Sequence, residues 1–239
     1  MPDTLTYKSF GERSILIEWP ALIDEHRLYE IVAIKEQIRH ALDKRVQDLI
    51  IGYHSLTIVY NKFIVDFDKE IKDLKSLISA TTKASGTKTK VWTIPVCYEE
   101  PFGLDLEAMS QHLNLSVKDL IRLHTRPLYK VYFIGFLPGF MYLGGLDETL
   151  CMPRKENPRL KVEKGSVGIG GSQTGIYPSE SAGGWNIMGR TPINLFDVTQ
   201  DPPCFAKSGD KIRFKPISIH EFQAIDNDST LRSKFFTNA

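Results

Sequence analysis

The sequence predicts an α+β chain: a small N-terminal α+β domain over residues 1–84, an all-β barrel or sandwich over residues 85–225, and a polar tail over 226–239. Three observations carry this. In the first part, short runs of alternating apolar residues flank two stretches with helical spacing. Between residues 79 and 90 the run SATTKASGTKTK holds only Ser, Thr, Lys, Ala and Gly, the composition of a solvated connector. Beyond it Gly and Pro become dense, and short apolar segments alternate with turns.

Leu5 to Ser9 and Ser14 to Trp19 read as two strands around a turn at Gly11, with Ile15 and Ile17 on one face. Asp24 suits a helix N-terminus, because a short acceptor side chain there satisfies a free backbone N–H. Leu28, Ile31, Val32, Ile38 and Leu42 then recur at spacings that make one apolar stripe. That stripe needs a sheet to cover. Val46 to Ile51 and Leu56 to Tyr60 supply two more strands, and Phe67, Ile71, Leu74 and Ile78 mark a second amphipathic helix. After the connector, Val91 to Val96 reads as a strand, and Leu104 to Leu113 and Val117 to Leu123 as helices. Tyr129 to Phe136, Ser166 to Ile169, Trp185 to Met188 and Ile193 to Phe196 then read as strands of the β part.

With 30 Lys and Arg against 29 Asp and Glu, the formal charge of the 239 residues is +1. Nucleic acid and anionic membrane surfaces call for a concentrated positive field, so neither is expected as a partner. No stretch approaches the roughly 20 apolar residues that span a bilayer, and Met1 to Ser9 shows no basic segment leading into an apolar run. The expected location is cytoplasmic. Cys97, Cys151 and Cys204 are odd in number and far apart, which fits buried reduced thiols. The six histidines show no metal-ligand spacing, so no metal is expected.

The glycine run from Gly165 to Gly175 invites a phosphate-loop reading, since clustered Gly lets backbone N–H groups approach an anion. The details oppose it. Gly170 and Gly175 have Walker A separation, but Ile176 and Tyr177 stand where Lys and Ser/Thr should be, and Gln173 breaks a G-x-G-x-x-G fingerprint. Tight turns around a groove are the expected use. Neither Ser166 nor Ser172 falls in G-x-S-x-G, which disfavours a serine hydrolase.

Tyr129 to Leu146 is the densest motif. An apolar strand runs into Gly-Phe-Leu-Pro-Gly-Phe and sets aromatic rings on a constrained loop. Phe133 and Phe136 are expected in the core, whereas Phe140 and Tyr142 are open between core and contact surface. His124, just before this strand, is a candidate to line a site. Arg154 and Arg159, set by Pro153 and Pro158, suit bidentate recognition of carboxylate or phosphate. Trp185 reads as core, and Arg190 either holds an anion or pairs with a carboxylate such as Asp197.

Taken in order, YKVYFIGFLPGFMYLGGL, PRKENPRLKV, GSVGIGGSQTGIYP, GGWNIMGRTP and LFD resemble the family of 5-oxoprolinase B subunits, also described as allophanate hydrolase subunit 1 or KipI-like proteins. The resemblance extends over essentially the whole chain and implies a small N-terminal domain followed by a cyclophilin-like β-barrel. Val162-Glu-Lys-Gly165 departs from the family's Val-Pro-Ala-Gly, and Ala182 stands where Pro usually precedes Gly-Gly-Trp. Both changes fall in turns.

The resemblance implies a chain that works with partners. The family's B subunit acts with a cyclophilin-like C subunit and a separate A subunit to open the 5-oxoproline lactam to glutamate, with ATP as co-substrate of the complex. That agrees with the missing nucleotide motif and implies an inactive isolated chain. An activated carbonyl would need cations and backbone donors. Arg154, Arg159 and Arg190 are the candidates, with Gln173, Tyr177 and His124 as further substrate-binding residues. A branch of the family instead inhibits a sporulation histidine kinase through the barrel, and Phe140, Tyr142 and Tyr177 would serve such binding. A third reading, the carboxyltransferase half of a biotin-dependent urea carboxylase, ranks last because the chain lacks a Met-Lys-Met biotin site and holds one lobe only.

Overall fold

The period-two runs of the N-terminal part pair as the pattern requires. The computed structural model describes residues 5–21, 24–79 and 89–228 and divides the chain into two units, residues 1–88 and 89–239. Most of the expected connector (80–88) and the end of the tail (229–239) lie outside the described residues. The first unit comprises β1 (Thr6–Ser9), β2 (Ser14–Glu18), α1 (Glu25–Leu42), β3 (Val46–Ile51), β4 (Ser55–Tyr60) and α2 (Phe67–Ser79). The strands form one antiparallel sheet of order β1-β2-β4-β3. Ile15, Ile17, Leu56 and Ile58 are wholly buried, as are Ile31 and Ile38 of α1, which packs on β3 and β4. Asp24 caps α1 by accepting the Arg27 N–H at 2.8 Å. Leu42, expected in the stripe, is only half-buried because it closes the last turn, and Ile34 takes an interior place instead.

The second unit comprises β5 (Val91–Cys97), α3 (Leu106–Leu113), α4 (Val117–Thr125), β6 (Tyr129–Ile134), β7 (Met141–Gly144), β8 (Arg159–Val162), β9 (Ser166–Gly170), β10 (Gln173–Ile176), β11 (Ser181–Gly183), β12 (Asn186–Arg190), β13 (Lys211–Ile217) and α5 (Ile219–Asn227). Seven of these strands close a barrel of order β10-β7-β6-β13-β5-β12-β9, which decides barrel over sandwich, and β8 and β11 form a separate ribbon. β5 and β13 pair in parallel from Val91 opposite Lys211 to Cys97 opposite Ile217. Val96, Val131, Leu143, Val167, Ile169 and Met188 are wholly buried in the core of this unit.

Two differences from the sequence-based expectation have physical causes. Ile193 to Phe196 forms no ladder, although Ile193 and Leu195 are 1% exposed, because an extended segment can bury apolar side chains without pairing. Residues 219–227 are helical, where the polar tail is expected to begin at 226. Ser218 and Glu221 form a reciprocal capping box there, and Phe222 and Ile225 are buried. Among the described residues no helix is long and apolar enough to cross a membrane.

Candidate functional site

Between β6 and β7 the Gly135 N–H donates to the Phe140 carbonyl at 3.0 Å, and the Phe140 N–H donates to the Leu137 carbonyl at 3.0 Å. This tight return delivers Phe140 to the start of β7, only 2% exposed. Its ring meets Tyr177 and Trp185 edge-on, each at 5.4 Å between centroids, and Tyr142 at 4.9 Å. Edge-on packing sets the positive rim of one ring against the negative face of the next. Phe136 corrects the expectation of a core residue. It is 66% exposed, held at φ +70°, and meets Phe140 edge-on at 5.6 Å. A bulky residue in the left-handed region stores backbone strain, and here it keeps a ring outside the core.

The glycine run makes room for this cluster. A Cβ on Gly170 of β9 would lie 2.5 Å from the Trp185 indole nitrogen and one on Gly175 of β10 would lie 3.2 Å from the Phe140 ring, while outside the run one on Gly183 would strike the Tyr177 hydroxyl. The run therefore makes turns at either end of β9, at Gly165 (φ +83°) and Gly171 (φ +66°), and between them serves packing and strand pairing, so its residues do not fit a phosphate cradle. Trp185, read as core, is indeed buried, yet it also forms a wall of the site.

The irregular segment 153–158, with Arg159 opening β8 at its end, brings the charge. The Lys155 N–H donates to the Gly184 carbonyl at 2.7 Å, and Asn186 Nδ2 donates to the Pro153 carbonyl at 2.9 Å. The Arg154 guanidinium stands 5.9 Å from the Trp185 ring centre. Arg154 is exposed, and among the described residues its contact is with this ring and not with a carboxylate. Together these groups enclose a cleft of about 190 Å³, lined by Phe136, Phe140, Tyr142, Arg154, Lys155, Pro158, Tyr177, Gly183, Gly184 and Trp185. Burial raises the pKa of both Tyr142 and Tyr177 against the opposing pull of Arg154, so both phenols stay protonated at neutral pH. The cleft thus offers flat apolar walls, phenolic hydroxyls and an uncommitted guanidinium, a set suited to a small ring bearing an anionic group.

Of the residues the sequence singles out, the structure gathers Phe140, Tyr142, Arg154 and Tyr177 in this cleft. Arg159 is beside it but committed elsewhere, donating to both oxygens of Asp105 at 2.9 and 2.7 Å. His124 is wholly buried, bonded to Tyr98 and Thr174 and stacked on Phe214 at 4.7 Å. It therefore does not line the cleft; a histidine on an amphipathic helix is equally able to face the barrel core. Gln173 and Arg190 are also not among the lining residues. Arg190 Nε donates to the Lys164 carbonyl at 2.8 Å and the guanidinium lies 5.7 Å from the Phe102 ring centre. Asp197, the partner considered for it, instead accepts from the Thr199 N–H and hydroxyl.

A larger hollow of about 560 Å³ lies in the first unit, but its wall carries the Arg45–Glu70 ion pair at 2.6 Å among charges of both signs, and none of the candidates reaches it. Among the described residues no group of three His, Cys, Asp or Glu could hold a metal. Burial raises the pKa of all three thiols, so none is poised as a thiolate nucleophile. Sequence reasoning missed Asp105, whose role appears only when residues distant in the chain meet; the Gly-Gly before Trp185 was the available signal for the cleft floor.

An α+β unit preceding a closed barrel with this aromatic cleft defines a class of domain. Residues 5–206 match the family described as "Carboxyltransferase domain, subdomain C and D". Within it, the chain belongs to the family of 5-oxoprolinase B subunits. It is 40% identical over 195 residues to the 5-oxoprolinase B subunit of Haemophilus influenzae, covering 82% of this chain and 89% of that one. It is 35% identical over 192 residues to the Bacillus subtilis counterpart, covering 76% and 80%. A crystal structure of TTHA0988 superposes with a TM-score of 0.74 at 30% identity over 86% of this chain, which spans 40% of that longer protein.

Proposed function

We propose that this chain is the B subunit of an ATP-dependent 5-oxoprolinase, a cytoplasmic hetero-oligomer that opens the lactam of 5-oxo-L-proline to glutamate together with A and C subunits. The observation that carries this reading is Arg154 over Trp185 at the rim of a ring-sized aromatic cleft. The five-membered lactam packs against Phe140 and Trp185, and its carboxylate meets the guanidinium. Among the described residues no activated nucleophile and no phosphate-binding loop accompanies the cleft, so the chain binds and orients while its partners supply the rest of the chemistry. ATP, the co-substrate of the complex, provides the driving force for an uphill amide opening; the residues here do not fit its phosphates.

Reconstitution tests the reading. The purified chain alone should show no turnover of 5-oxo-L-proline with ATP, and addition of homologues of the A and C subunits should produce glutamate. Turnover by the isolated chain, or none by the complete set, would reject it. The exposed Phe136 at the cleft mouth favours one second reading, an inhibitor that grips a helix of a sensor histidine kinase. Tagged chain expressed in its own cells distinguishes them by recovering a C-subunit homologue or a kinase.

A further inference from the structure

We propose that Asp105 is a positioning residue: its buried carboxylate latches the 153–159 segment and thereby fixes Arg154 over Trp185. Asp105 occupies the N-cap position of α3, where an Asp ordinarily accepts a backbone N–H of the first helical turn. Here its side chain makes no such cap bond. It turns to the loop instead. One oxygen accepts from Arg159 Nη2 at 2.7 Å and Lys155 Nζ at 2.8 Å, and the other accepts from Arg159 Nη1 at 2.9 Å and the Ile187 N–H at 2.7 Å.

These contacts join three elements that are far apart in sequence. Asp105 is 4% exposed, whereas the Lys155 and Arg159 side chains are each 28% exposed, so a loop with little regular structure is anchored through its cations to a buried anion. The Ile187 N–H fixes that anion to β12, the strand that follows Trp185. Arg154 is the immediate neighbour of Lys155, so the position of one dictates that of the other. A carboxylate with four donors in a partly buried setting holds its partners far more firmly than a surface pair does. Burial raises the Asp105 pKa, but the Arg159, Lys155 and Ile187 bonds outweigh it and the net shift is downward, so the latch stays charged through neutral and mildly acidic pH. Removing the carboxylate should free the loop while leaving the barrel intact, since both cations can turn to solvent.

The latch is tested on the full chain without a ligand, and its role in binding rests on the 5-oxo-L-proline reading above. Hydrogen exchange of Asp105→Asn should show the Lys155 amide exchanging at least tenfold faster, with β9 and β10 unchanged. Arg159→Gln, which keeps the Lys155 pair, should give a smaller acceleration at the same amide and guards against a failure of the first variant to fold. An unchanged Lys155 amide, or acceleration spreading equally through β9 and β10, would overturn the latch. Titration with 5-oxo-L-proline then separates the two ideas. If the native chain binds it, Asp105→Asn should weaken affinity about tenfold, and should add nothing further in an Arg154→Ala background. Equal binding by Asp105→Asn, or a full additional loss in that background, overturns the positioning role. If the native chain does not bind, the substrate reading fails and exchange alone decides the latch.

Discussion

His124 Nε2 lies 2.9 Å from Thr174 Oγ1, and that hydroxyl spends its single proton on the Gly168 carbonyl at 3.0 Å. The hydroxyl must therefore accept from His124, which fixes the Nε2–H tautomer, and Nδ1 accepts from the Tyr98 hydroxyl at 2.8 Å. The neutral imidazole satisfies both ring nitrogens. Burial lowers the His124 pKa to about 3.

This arrangement makes stability fall with acid. Below about pH 6.5 the unfolded chain binds a proton at His124 that the folded chain refuses, so unfolding free energy drops by roughly 1.4 kcal/mol per pH unit until the folded pKa near 3 is reached. Urea unfolding at a series of pH values should show this slope in the native chain and a shallower one in His124→Gln. Equal slopes would mean that His124 is already charged in the fold.

Arg154→Met should raise KM for 5-oxo-L-proline in the reconstituted complex by tenfold or more, the loss of a charge-assisted bond worth about 1.5–3 kcal/mol. The exposed side chain should change stability by no more than about 0.5 kcal/mol. Unchanged KM, measured beside the melting temperature, would remove Arg154 from the site.

Gly170→Ala should disturb the cleft from behind, because the new Cβ would meet the Trp185 indole at 2.5 to 2.7 Å. Overpacking of this kind costs about 1–3 kcal/mol, and the displaced ring should weaken ligand binding as well. Thermal unfolding and a binding titration on the same protein check both effects; native values for both would show that the indole has room to move.

Arg190→Ala should cost about 1 kcal/mol, the loss of its bond to the Lys164 carbonyl and its cover of Phe102. Affinity for 5-oxo-L-proline should stay at the native value, since Arg190 does not line the cleft. Weaker binding at unchanged stability would return it to the substrate site.

Much of the fold is legible because local pattern and burial agree. The sequence predicts the strand at Val46–Ile51 at its observed bounds and Asp24 as the cap of α1, because both depend on side chains a few residues apart. The helix at Ile219–Asn227 carries an equally local signal, Ser218 with Glu221, but its two buried residues, Phe222 and Ile225, are too few to stand out as a stripe. Ile193 to Phe196 shows the limit of the pattern: an apolar run reports burial, whereas a ladder needs a partner strand that only the assembled barrel can supply.

The sequence by itself determined the α+β class and the aromatic and arginine residues from which a site would be drawn. Tertiary structure alone decided which of them meet. His124 went to the core and Arg154 to the cleft rim, and Asp105 was joined to Arg159 across 54 residues of sequence. Periodicity reports which face of an element is buried, but the partner of a buried carboxylate is set by chain closure, when Arg159 and Lys155 are brought to an Asp105 side chain that is itself only 4% exposed and must find donors inside the protein.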